Sequence, residues 1–262
     1  MPGKYWLVVV PLLAAAACGT ESAAPAVAGS SSGETANATG TVLVFAAASL
    51  TEAFTNERSA LQSEQPGLDV TLSFAGSGTL VTQIQQGAPA DVIATADTAS
   101  MQKLVDAGLV EPPTVFAHNQ LQIIVATGNP KGIHALEDLG RPDVAVVLVD
   151  PSVPAGKYAQ QILTTADVTV EPKSLETDVK SAVARVTSGE ADAAIVYVTD
   201  VRAAGDKASG IEIPDRQNVV ADYPIAIVKA TSNHDAAAAF VEAVAHGSGQ
   251  AALRTSGFLT AA

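Results

Sequence analysis

Short β-branched apolar runs alternate with longer helical stretches, and this pattern constrains the chain more than any single residue does. From Thr41 onward, strand-like runs read at 42–46, 69–74, 91–95, 121–126, 144–149, 193–198 and 223–229. Between them, helical stretches read at 50–64, 79–86, 98–107, 155–166, 178–187 and 233–245. Alternation at this spacing predicts an α/β fold, with mostly parallel sheets flanked by helices. Gly87, Gly108, Gly189 and Gly247 each follow a helical stretch, as C-terminal stop residues do. No internal repeat is visible.

Ligands of such sheets bind at the carboxyl ends of strands, where helices begin. Two serines sit at such junctions: Ser49 after Val44-Phe45-Ala46-Ala47-Ala48, and Ser77 between Gly76 and Gly78. A serine there can cap its helix, or join the unpaired N–H groups of the first turn in holding a small anion. The flanking Ala and Gly residues leave the backbone open to close approach. Other junctions fit the same end of the sheet: Asp150-Pro151-Ser152-Val153-Pro154-Ala155-Gly156-Lys157, Thr177-Asp178-Val179-Lys180 and Ile195-Val196-Tyr197-Val198. The last ends in a phenol, which needs a partner when buried. Asp91 and Asp97 read as structural caps, because carboxylates repel a bound anion. Lys157 reads as solvent-facing, since long cations keep their charge in water.

Several function classes are excluded by what the chain lacks. Its formal net charge is −13, and no block of Lys or Arg interrupts it, which disfavours nucleic acid and anionic membrane as partners. An anion would have to be held by local donors against that field. Cys18 is the only cysteine, so neither an internal disulfide nor a multi-cysteine zinc site is available. His118, His134, His234 and His246 show no metal-binding spacing. Ala75-Gly76-Ser77-Gly78-Thr79 is not a hydrolase nucleophile elbow, and no phosphate-loop or dinucleotide fingerprint occurs. No enzymatic activity and no cofactor are expected.

The first 17 residues read as a signal peptide: Lys4, an apolar stretch from Trp6 to Ala17, then small residues. Ala15-Ala16-Ala17-Cys18 resembles a bacterial lipobox, in which the cysteine is lipidated, and departs from it at Ala15, where the pattern usually has Leu. Ordinary signal cleavage is the alternative. Residues 18–40 then carry the lipidated Cys18 and a tether of Gly, Ser, Thr, Ala and Pro, too poor in large apolar side chains to order itself.

Taken together, Phe45-Ala46-Ala47-Ala48-Ser49-Leu50, Phe74-Ala75-Gly76-Ser77-Gly78-Thr79-Leu80, Gln83 to Val92, Val153-Pro154-Ala155-Gly156 and Gly189 to Tyr197 resemble the periplasmic molybdate-binding proteins of ABC importers. The resemblance runs from about residue 41 to 262. It implies a two-lobed, type II-like binding protein, with lobe I from 41–121 plus 224–262 and lobe II from 122–223. The chain would cross between lobes near Asn119-Gln120 and Asp222-Tyr223-Pro224, with the ligand in the cleft. Ser49 and Ser77 would each give a hydroxyl and a backbone N–H, Ala155 and Val179 backbone N–H groups, and Tyr197 a phenolic O–H. Molybdenum would be held through its oxygens, with no direct metal ligand. The implied ligand is molybdate, with tungstate beside it; sulfate or another tetrahedral oxyanion is the alternative. Implied partners are an ABC permease and its ATPase, with a monomeric binding protein held outside the cell membrane by the lipid on Cys18.

The lipid anchor is testable by fractionation. Cys18→Ser should move the protein from the membrane fraction to the soluble or secreted one; an unchanged distribution contradicts lipidation.

Overall fold

A computed structural model describes residues 38–261. The signal segment 1–17, Cys18 and the tether through residue 37 lie outside the described residues. The first elements are β1 (Gly40–Ala47), α1 (Thr51–Glu64), β2 (Leu68–Ala75), α2 (Ser77–Gln85), β3 (Val92–Ala94) and α3 (Thr98–Asp106). A long β4 (Thr114–Ala126) leads to β5 (Val146–Val149), α4 (Pro154–Thr165), β6 (Ser174–Glu176), α5 (Val179–Thr187) and β7 (Ala193–Tyr197). The chain ends with α6 (Val198–Ala204), β8 (Ala208–Glu212), β9 (Val220–Ile227), α7 (His234–His246), α8 (Gly249–Ser256) and β10 (Leu259–Thr260). Every expected strand and helix forms; β6, β8, β10, α6 and α8 are additional.

The α/β class holds, but the sheet is mixed rather than mostly parallel. Its strand order is β2-β1-β3-β9-β4-β7-β5-β6, with β8 and β10 pairing with β4 off this path. The outer ladders, β1 with β2 and β3 and β5 with β6 and β7, are parallel. Those around β4 and β9 are antiparallel. The reason lies in β4, which runs seven residues further back than the expected 121–126. Its polar first half, with His118, Asn119 and Gln120, pairs with β9 through Gln120. From Leu121 onward β4 pairs with β7, and from Gln122 with β8. One strand is thus shared by two half-sheets.

Period-two burial in β1 shows how each half-sheet is sandwiched. Val42, Val44 and Ala46 join the main core with Phe54, Phe116 and Phe240. Leu43 and Phe45 point to a second cluster with Leu80, Ile84, Ile93, Met101 and Leu104 under α2 and α3. Asp97 caps α3, its carboxylate accepting from the Ser100 N–H at 2.9 Å. Asp91 is structural without being a helix cap. It accepts from the Leu43 N–H at 2.7 Å and from the Thr231 hydroxyl, tying β1 to the chain beyond β9.

Gly156, in the first turn of α4, is where this packing is tightest. A Cβ there would lie 2.2 Å from the Asp150 carbonyl oxygen and 2.3 Å from that of Val149. The helix start can therefore sit directly over the end of β5 only without a side chain. Gly156→Ala should cost about 1–3 kcal/mol of stability, read as a lower urea midpoint, despite alanine's better helix propensity. An unchanged midpoint would contradict this packing.

Candidate functional site

Five strand-to-helix junctions meet at one small pocket. Ala47 ends β1, Ala48 and Ser49 follow it, and Gly76 and Ser77 join β2 to α2. Val153, Pro154 and Ala155 open α4, Asp178 and Val179 open α5, and Tyr197 ends β7; with Ala96 these residues line a tight cavity of about 10 Å3. All five sequence-derived candidates, Ser49, Ser77, Ala155, Val179 and Tyr197, are brought together there, and each is buried. Lys157 is exposed and does not line the pocket.

Helix geometry leaves the N–H groups of Ser77, Ala155 and Val179 without an intrahelical acceptor, and all three residues line the pocket, which brings the partial positive charge of three helix starts to it. Pro154 occupies the first position of α4 and has no N–H, so donation from that turn starts at Ala155. Asp178 lines the pocket, but its carboxylate is engaged as the cap of α5, accepting from the Ser181 N–H at 2.9 Å. Gly76 permits the approach of the facing junctions: a Cβ there would lie 3.1 Å from the Thr177 carbonyl oxygen.

The Ser77 hydroxyl has its polarity constrained from behind, and Ser49 is held by a second hydroxyl. Ser77 Oγ accepts from the Ala96 N–H at 3.0 Å, so its own proton is free to donate. Ser49 Oγ lies 2.8 Å from the Tyr223 hydroxyl, across 174 residues of sequence. Tyr223 is fully buried and wedged edge-on among Phe116, Phe258 and Tyr197. Tyr197 is 1% exposed, and its hydroxyl has no hydrogen-bond partner among the described residues. Burial pushes the Tyr197 phenol well above its usual range, with the neighbouring Tyr223 adding to the effect, so it keeps its proton. A buried donor without an acceptor is costly unless a guest supplies one. Among the described residues no group of three or more His, Cys, Asp or Glu could hold a metal ion.

Tyr223, Ala96 and Asp200 were not legible as parts of this site. Tyr223 read as a crossing point between lobes, and the Ala96 N–H leaves no mark on residue type. Asp200 is fully buried below the pocket, where its Oδ2 accepts from the Tyr197 N–H at 3.2 Å. Its ion pair with Lys180, at 3.3 Å, explains how a carboxylate survives there. A larger depression of about 610 Å3 lies near Asp91, Lys229 and Asn233. The C-terminal ends of α2 and α3 reach it, as do the start of α7 and Lys229, so it lacks the ring of helix starts.

Helix starts facing one another over a pocket of donors define a solute-holding cleft, built on a mixed sheet with a shared central strand. Residues 42–259 match the family described as bacterial extracellular solute-binding protein, and the chain belongs to that family. It is 41% identical over 243 residues, 92% of this chain and 91% of the relative, to a Mycobacterium tuberculosis protein named molybdate-binding protein ModA. An Escherichia coli protein of the same name is 33% identical over 207 residues, covering 74% of this chain and 79% of its own. The solved periplasmic molybdate-binding protein of Azotobacter vinelandii matches in fold, with a TM-score of 0.76 over 84% of this chain and 100% of that one, at 21% identity.

Asp200 makes stability depend on pH in a defined direction. Burial pushes its carboxyl up to about 6 from an ordinary 3.8, with Lys180 holding back part of the rise. A raised pKa means the folded state binds the proton more readily than the unfolded chain. This contribution is fully present below about pH 4 and is lost as pH rises through about 6. Between pH 4 and 7 the wild type should therefore lose on the order of 2–3 kcal/mol relative to Asp200→Asn, read from paired urea titrations. Parallel pH profiles would contradict a buried, titrating Asp200.

Proposed function

We propose that this chain binds molybdate, and tungstate with it, outside the cytoplasm, and hands the unchanged anion to the permease and ATPase of an ABC transporter. The observation that carries the reading is the polarity of the pocket. Ser77 already accepts from Ala96, Tyr197 has no acceptor, and three helix starts bring their N–H groups to it. Such a site needs a guest made only of acceptors. A tetrahedral oxyanion that is fully deprotonated at neutral pH is that guest, and relatives bearing the molybdate name across most of the chain support the choice.

Neutral and backbone donors are sufficient for this task. Each helix start presents roughly half a positive charge, and each hydrogen bond to an ion contributes about 1.5–3 kcal/mol net. Several such bonds reach the roughly 8–12 kcal/mol of micromolar to nanomolar affinity after the costs of ordering. No Lys or Arg contact is needed, and binding proceeds without turnover.

Two lobes, 41–121 with 224–262 and 122–223, then close on the anion. The change of partners along β4 between Gln120 and Leu121 supports a boundary there. Ser49 and Ser77 act from one lobe, Ala155, Val179 and Tyr197 from the other, so the bound anion favours the closed form. A lipid on Cys18 and the tether keep this monomer at the membrane surface.

Calorimetric titration with molybdate tests the site. Ser49→Ala and Ser77→Ala should each weaken binding about 10-fold or more, the loss of one hydrogen bond to an ion. Tyr197→Phe should weaken it similarly and remove most of any molybdate-induced change in tyrosine absorbance. Full affinity in both serine variants would overturn the assignment.

A further inference from the structure

Three of the five pocket junctions are tied together by one cation that does not itself line the pocket. Lys180 follows Val179 in the first turn of α5. Its Nζ lies 2.7 Å from Oε2 of Glu52, in the first turn of α1 just beyond Ser49. The same Nζ lies 3.3 Å from Oδ1 of Asp200, whose other oxygen accepts from the Tyr197 N–H at 3.2 Å. One ammonium thus links the turn that carries Ser49, the turn that carries Val179 and the strand end that carries Tyr197. Glu52 belongs to the half-sheet of β1, whereas Lys180 and Asp200 belong to that of β5 and β7, so the Glu52–Lys180 bond crosses between them.

The geometry points to Lys180 as a positioning residue for anion binding, a clasp with Glu52 that holds the facing helix starts at the spacing the anion requires. This rests on the molybdate reading above, in which those helix starts are the donors. Lys180 is unsuited to contacting the anion directly, because its charge is already shared between two carboxylates. Burial opposes its charge, yet Asp200 and Glu52 more than offset that, so it stays protonated throughout the physiological range. The two ion pairs differ in kind. Asp200 is buried and anchors Lys180 within its own half, whereas the Glu52 side chain is 43% exposed and is the part that can release when the halves separate. Breaking the Glu52 pair removes cross-cleft restraint and leaves every proposed anion donor in place. The loss should therefore fall on the rate at which bound anion escapes.

Glu52→Gln isolates the cross-cleft bond, since the Lys180–Asp200 pair survives it. Molybdate titration should show about two- to tenfold weaker binding, carried by faster release in stopped-flow experiments. Lys180→Arg should retain most of the affinity. In a double-mutant cycle with Lys180→Met, Glu52→Gln should have no further effect, because Glu52 acts only through Lys180. Wild-type affinity in Glu52→Gln, or losses that multiply in the double variant, would overturn the clasp. Amide exchange in the ligand-free protein gives a readout that does not depend on the ligand. Glu52→Gln should speed exchange in segments 48–52 and 178–182, and unchanged exchange there would count against the clasp. If the wild type fails to bind molybdate, the molybdate reading fails and the exchange result still decides the clasp.

Discussion

The unpaired N–H groups at helix starts are the constraint around which this molecule is arranged. Each α-helix leaves its first amides without intrahelical partners, and a strand that leads directly into a helix delivers those amides to the carboxyl edge of the sheet. Here three such starts, at Ser77, Ala155 and Val179, open on one pocket, joined by the short turn at Ser49 and the strand end at Tyr197. Concentrating so many donors would be unfavourable in a closed cavity with no guest. The absence of side chains at Gly76 and Gly156 lets the junctions come this close, since a Cβ at either would press on a backbone carbonyl.

Support from behind turns these donors into a site with a definite polarity. The Ala96 N–H occupies the acceptor side of Ser77, and the Tyr223 hydroxyl meets Ser49 from within an edge-to-face group of aromatic rings. Tyr197 is fixed at its backbone by Asp200 and left free at its hydroxyl. The result is a pocket that offers hydrogen without asking for it, in a protein whose overall charge is −13.

Much of this was legible in the sequence, and the gaps have physical reasons. Ser49 and Ser77 stood out because a hydroxyl between small residues at a strand-to-helix turn is a side-chain signal. Ala155 and Val179 contribute only backbone, which any residue carries, so only the likeness of whole motifs singled them out. Tyr223 meets Ser49 across 174 positions, a pairing that exists only once β9 has been laid beside β3. The first half of β4 hid because His118, Asn119 and Gln120 break an apolar run, although all three pair with β9 and His118 also with β10. That hidden half is also why a mostly parallel sheet was expected where a mixed one forms. The charged support was equally invisible: Lys180 and Asp200 look like solvated helix residues until burial makes each the other's partner.

Comparing molybdate with phosphate by calorimetry near neutral pH tests the central claim of a donor-only pocket most directly. Molybdate brings only acceptors, whereas phosphate at that pH still carries a proton that would face Ser77, Tyr197 and the helix N–H groups. An unmatched buried donor costs about 1–3 kcal/mol, so molybdate should bind at least 5- to 150-fold more tightly before any effect of size. Phosphate binding as tight as molybdate would contradict the account.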